Sequence, residues 1–187
     1  MSATIVDRLH DEFSGILSVL DRESEISLRN VANENFRKTL LMAAASHFER
    51  CMTEAVLHFV ARVTREGHVL TWLVKNKVVS RQYHTWFDWQ KKNANSFFGL
   101  FGDSFLECMK AKVAQDDELE SSIQAFLEVG RERNRLVHQD FGNFSLEKTT
   151  EEIFSLYRTA MKFVEWFPGA LEEFSSEAVH ETNAQSS

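Results

Sequence analysis

Proline is almost missing from this 187-residue chain, which holds one, and glycine is sparse at seven. A turn-rich β-sandwich draws on both for its connections, and a collagen-like chain needs glycine at every third position, so both classes are excluded. Two cysteines, Cys51 and Cys108, are too few for a disulfide framework or a four-ligand zinc site built on thiolates. No apolar run approaches the roughly 20 residues that span a membrane, and Met1 to His10 hold no apolar signal core. The setting expected from these absences is reducing and cytoplasmic, with no membrane partner. An excess of basic charge is lacking as well: the net charge is −7, which argues against a general nucleic-acid coat protein.

What the chain does have is apolar material. Hydrophobic residues make up 43%, with 16 Phe and 4 Trp, enough to build a core and to exclude wholesale disorder. With so few helix breakers, the expected fold is all-α, a helical bundle with a long central helix and an irregular, aromatic-rich connector.

Charge is unevenly placed. From Arg62 to Lys92 seven cations (Arg62, Arg65, Lys75, Lys77, Arg81, Lys91, Lys92) face only Glu66 and Asp88, giving +5 there and −12 elsewhere. Such a run is either a solvated helical face or a basic strip that attracts phosphate within an acidic protein.

Hydrophobic periodicity divides the chain into helices. A first helix is predicted from about Thr4 to Arg22, with Ile5, Leu9, Phe13, Ile16, Leu17 and Leu20 on one side and a break at Ser24–Ser27. A long helix follows from about Asn33 to Arg65. Its stripe of Phe36, Leu40, Leu41, Ala44, Phe48, Met52, Ala55, Val56, Phe59 and Val63 is wide enough for neighbours on several sides. Short helices are predicted around Val69–Val74 and Tyr83–Trp89, with a packed connector over Asn93–Gly102. Asp103 is a candidate cap for a helix to Val113, and Asp116 or Asp117 for one running to about His138. Thr149 with Glu152 fits a capping box for the last helix, and Pro168-Gly169 reads as its stop. The expected organisation is an N-terminal helix and break (1–28), a helical domain (29–168) and an acidic, mobile tail (169–187).

The chemistry concentrates in Arg131-Glu132-Arg133-Asn134-Arg135-Leu136-Val137-His138-Gln139-Asp140-Phe141. On a regular helix Arg131 and Arg135 point to solvent, whereas Arg133 lies about 50° from the centre of the apolar stripe of Leu119, Ile123, Phe126 and Val137, and Asn134 a similar angle to the other side. A guanidinium aimed at a packed face needs compensation. Two readings fit: an internal ion pair, with Glu49 the obvious carboxylate, or an anion site open to a cleft, with Glu49 holding the arginine in place. His138 points about 140° from Arg133, so the two act together only across a bend or in a site between helices.

Arg133, Asn134 and, four residues on, His138 match the Arg-x4-6-His motif, with a polar residue after the arginine, and in this all-α setting the chain resembles the HEPN superfamily. Ala45-Ser46-His47-Phe48-Glu49-Arg50, Arg81 to Trp89 and Arg133 to Phe141 look most like its RiboL-PSP-HEPN branch, over roughly residues 30–168. The resemblance implies a metal-independent endoribonuclease without cofactor, acting on RNA from a site assembled across a homodimer, in the role of a toxin or antiviral defence effector with an antitoxin or regulatory protein as possible partner. In that scheme His138 transfers protons, Arg133 binds phosphate and developing charge, Asn134 is polar or positioning, and Glu49 orients Arg133. Two chains supply the two histidines that act as base and acid. The competing expectation is a non-catalytic module of the same fold that binds a protein or RNA.

Other residues fit less well. His47 and His58 edge the long helix's stripe and read as packing or partner-facing, and His84 among Tyr83, Trp86 and Trp89 reads as part of a core or rim aromatic cluster, with base stacking the less favoured alternative. Asp7, His10, Asp11 and Glu12 have no metal-ligand spacing. There is no Gly-rich phosphate loop, no HExxH and no GxSxG, so metal, nucleotide-dependent and acyl-transfer enzymes find no support.

Overall fold

The computed structural model describes residues 3–64, 67–139 and 144–185, with side chains described to 177. Within them the chain is helical without strands, as its composition led us to expect. The elements are α1 (Ile5–Arg22), α2 (Ile26–Thr64), α3 (Val69–Leu73), a π-helical turn (Val74–Val79), α4 (Tyr83–Trp86), α5 (Asn95–Phe98), a 3-10 turn (Gly99–Phe101), α6 (Asp103–Val113), α7 (Asp117–His138) and α8 (Thr150–Gln185).

Helix α2, 39 residues long, is the centre. Helices α7 and α8 pack along each other and both lie against α2, and α1 covers a further side. The wide stripe explains this: Leu40, Leu41, Ala44, Phe48, Met52 and Val56 are all buried. Phe48 meets Phe126 of α7 and Tyr157 of α8, so one side chain joins three helices.

Local signals fix several ends. In α1, Thr4 and Asp7 form a capping box, Thr4 N–H donating to Asp7 Oδ2 at 2.7 Å and Asp7 N–H to Thr4 Oγ1 at 3.2 Å. Tyr157 donates to Thr4 Oγ1 at 2.7 Å and Arg158 pairs with Asp7 at 3.1 Å, which ties this end of α1 to α8. Asp116 caps α7 by accepting from Leu119 N–H at 2.9 Å. Thr149 and Glu152 form the second capping box, at 2.7 and 3.1 Å.

Some boundaries differ from expectation. Helix α2 begins seven residues early, at Ile26. Gly102, at φ +99°, occupies the cap position expected of Asp103, which is instead the first residue of α6. In α1 the buried residues are Phe13, as expected, and Val6, while Ile5 and Ile16 are exposed. The largest correction concerns Pro168. It lies inside α8, which continues to Gln185 rather than stopping. An internal proline costs about 3 kcal/mol. Phe167, Ala170 and Leu171 are nonetheless buried on either side of it, and each large apolar side chain so buried contributes about 1.5–3 kcal/mol.

Candidate active site

The last two turns of α7 present Gly130, Arg133, Asn134, Val137 and His138 to one pocket of about 350 Å³. Their spacing is i, i+3, i+4, i+7, i+8, a single helical face. Arg133 and His138 are its two edges, still about 140° apart, with Asn134 between them. Both still reach one cavity because the pocket faces the whole stripe. Its other wall comes from α2 (Ala45, Phe48, Glu49) and from Arg81, Tyr83, His84 and Trp89 on the segment around α4. Arg133, Asn134, His138 and Glu49 therefore line one cavity, and so do Arg81 and His84.

Arg133 is half-buried and its Nη1 donates to Asn134 Oδ1 at 3.1 Å. The expected Arg133–Glu49 ion pair is not formed among the described residues. Glu49 is exposed, and the guanidinium is instead braced by its neighbour on the same helix face. Both charges still act on Tyr83. Burial pushes its phenol well above the usual range, Glu49 pushes the same way, and Arg133 opposes them. Tyr83 thus stays protonated, a potential donor at the pocket wall. His138 is exposed at the end of α7, where Gln139 N–H closes the helix on Arg135 O at 3.2 Å. Asp140 and Phe141, the end of the motif segment, lie outside the described residues.

Two residues of α7, one in the pocket wall and one behind it, escape sequence reasoning. Gly130 looks like a helix-weakening glycine, yet a Cβ there would fall 2.0 Å from Trp89 Cζ3 and 2.2 Å from Cε3. The missing side chain lets the indole lie directly on α7. Trp89 Nε1 donates to His84 O at 2.8 Å, which fixes the ring from its other end. Glu132 is the second surprise, being 7% exposed on the buried side of α7. Arg135 satisfies it, Nη1 donating to both carboxylate oxygens at 3.1 and 3.0 Å, while its guanidinium also lies over Phe144. Val137, expected in the packed stripe, is 47% exposed and belongs to the pocket, whereas Leu136 is fully buried.

The remaining candidates separate cleanly. His47 is buried, edge-on to Tyr157, with Nε2 3.4 Å from Cys51 Sγ and Nδ1 without a hydrogen-bond partner. Burial lowers its pKa, Arg50 lowers it further, and Asp7 and Glu54 oppose them. Burial raises the Cys51 thiol, so this pair is not an activated nucleophile. His58 is exposed on α2. Among the described residues no three His, Cys, Asp or Glu side chains gather as metal ligands, and no helix is long and apolar enough to cross a membrane.

In the comparisons with known proteins, no curated protein and no solved structure matches the chain. The sequence family RiboL-PSP-HEPN matches residues 7–173. That span takes in most of α1 and passes Pro168, so it is wider than the 30–168 carried by the motifs. With the match covering most of its length, in an all-α fold, the chain belongs to the RiboL-PSP-HEPN family.

Proposed function

We propose that this protein is a metal-independent endoribonuclease that cuts RNA by attack of a ribose 2′-oxygen on the neighbouring phosphorus. Membership of a HEPN family supports an RNase-type reading. The observation that carries it further is the convergence of Arg133, Asn134 and His138 on one open pocket. In the reaction the 2′-O–P bond forms and the P–O5′ bond breaks. One imidazole takes the 2′-OH proton, a protonated one supplies the 5′-oxygen, and a guanidinium stabilises the charge on the phosphorane. One chain offers one motif histidine, so the second comes from another copy of the chain related by a two-fold axis. His138 is assigned proton transfer and Arg133 phosphate binding. Asn134 holds the guanidinium, and Glu49 balances charge across the pocket. A toxin or defence role, held in check by an antitoxin or other regulator, fits an enzyme of this type.

The test is cleavage of RNA by purified protein in EDTA. The expected products carry a 2′,3′-cyclic phosphate, and His138→Ala abolishes cutting with Tm unchanged. Cleavage that survives His138→Ala removes that residue from the mechanism. The exposed Val69, Leu70, Trp72 and Leu73 on α3 favour a second reading, a non-catalytic module that docks a protein. Under it Arg133→Ala leaves no activity to lose, because wild type cuts nothing.

A further inference from the structure

The pocket holds two arginines from separate elements, and only one belongs to the motif. Arg133 enters from α7, and Arg81 enters from the turn between the π-helical segment and α4. Several other arginines of this protein hold carboxylates: Arg50 holds Glu54, Arg135 holds Glu132 and Arg158 holds Asp7. Among the described residues neither Arg81 nor Arg133 forms an ion pair. Among the described residues Glu49 is the one carboxylate in the lining, so the described lining carries a net positive charge even with its imidazoles neutral, inside a chain of net charge −7. Uncommitted guanidinium groups in a concave site are suited to bind phosphate oxygens.

The backbone adds a second observation. Arg81 has φ +61°, in the left-handed region that favours glycine. Hydrogen bonds around it impose that geometry. Ser80 N–H donates to Lys75 O at 2.9 Å and Gln82 N–H to Val79 O at 3.2 Å. The Trp86 indole reaches back to Val78 O at 3.1 Å. Glycine would take this position with less strain, yet the residue here is an arginine lining the cavity. Strained non-glycine backbone of this kind concentrates at binding and catalytic sites.

The volume of the pocket that both arginines line sets the ligand's size. About 350 Å³ lies at the low end of the roughly 300–1,000 Å³ typical of small-molecule sites. It suits one nucleotide unit. Trp89 and the exposed His84 supply aromatic surface for the base.

We infer that Arg81 is a second phosphate clamp, so that the pocket of one chain grips a single RNA nucleotide by the phosphates on both its sides. This rests on the nuclease reading and assigns Arg133 the scissile 3′ phosphate and Arg81 the phosphate on the 5′ side. The probes are uridine 3′,5′-bisphosphate and uridine 3′-monophosphate, neither of which has a bond to cut. Titration calorimetry on the full chain should show wild type binding the bisphosphate at least about tenfold more tightly, the fold-change of one charge-assisted hydrogen bond. Arg81→Gln should erase that preference while changing monophosphate affinity less than about twofold. Arg133→Gln should weaken both ligands. Arg81→Gly should also lose the preference without lowering Tm, because it relieves the backbone while removing the clamp. A bisphosphate preference that survives Arg81→Gln, or a wild type with no preference, overturns the inference. If the preference behaves as described but RNA stays intact, the catalytic proposal fails and the subsite stands.

Discussion

Substituting Gly130 by alanine tests the closest approach in the pocket. On an isolated helix the change is favourable, since alanine is better than glycine by about 1 kcal/mol in a helix interior. Here the new methyl would sit 2.0 and 2.2 Å from two ring carbons of Trp89, and 2.9 Å from a third. A ring cannot yield atom by atom as a flexible chain end does, and this one is anchored through Nε1 to His84 O. Overpacking of this kind costs about 1–3 kcal/mol, and an overlap this deep belongs near the top of that range. The net expectation is a loss of roughly 2 kcal/mol, or about 4–8 °C in Tm for a chain of this size. Because the ring is displaced from the pocket wall, ligand binding and any RNA cleavage should fall as well.

A double-mutant cycle isolates the cause. Trp89→Ala removes the obstacle. In that background Gly130→Ala should stabilise the protein by about 0.5–1 kcal/mol, reversing the sign of its effect in wild type. Urea denaturation with a common m-value is the assay. If Gly130→Ala destabilises equally in both backgrounds, or stabilises wild type, the Trp89–α7 contact is not what demands glycine and the reasoning fails.

Protonation of His47 gives a further prediction. Its lowered folded pKa means the unfolded chain binds the proton more readily, so stability falls as pH drops below the unfolded value of about 6.5. His47→Leu should flatten the stability profile between pH 7 and 5 in chemical denaturation, and an unchanged slope would clear His47 of responsibility. Asp7 acts in the other direction. Burial raises its pKa, but the Thr4 hydrogen bonds and Arg158 outweigh that and hold the carboxyl below its ordinary range. Its contribution is therefore present above about pH 4 and is lost as pH falls through the lower folded value. Asp7→Asn should cost about 1 kcal/mol at pH 7 and much less at pH 3, measured by thermal unfolding.

What sequence could reveal was whatever local rules decide. The capping boxes at Thr4 and Thr149 and the cap at Asp116 involve residues three apart, so their partners are visible without a fold. The burial stripe of α2 was legible because its width reported several neighbours. The co-location of Arg133, Asn134 and His138 followed from family resemblance rather than from angles, since their 140° spread is reconciled only by a pocket facing the entire stripe. Misreadings arose where a distant element decides. Nothing near Gly130 announces Trp89, 41 positions earlier. Glu132 rather than Val137 faces inward at the end of α7, because Arg135 and Phe144 shelter the carboxylate there. Arg81 counted as one of seven cations and as the start of a segment that carries the resemblance, and only the fold placed it in the cavity.

Proline 168 leaves α8 without one main-chain donor in mid-span, so its two halves share no continuous hydrogen-bond ladder at that point. Beyond it, Glu172 reaches Arg62 of α2 at 3.6 Å and Glu173 reaches Lys112 of α6 at 2.5 Å. Solvent-accessible pairs like these weaken as ionic strength rises, whereas the apolar contacts before the proline do not. Concentrated salt should therefore loosen the portion beyond the buried Leu171 selectively, giving faster amide exchange there and leaving the segment from Ile153 to Phe167 as protected as before.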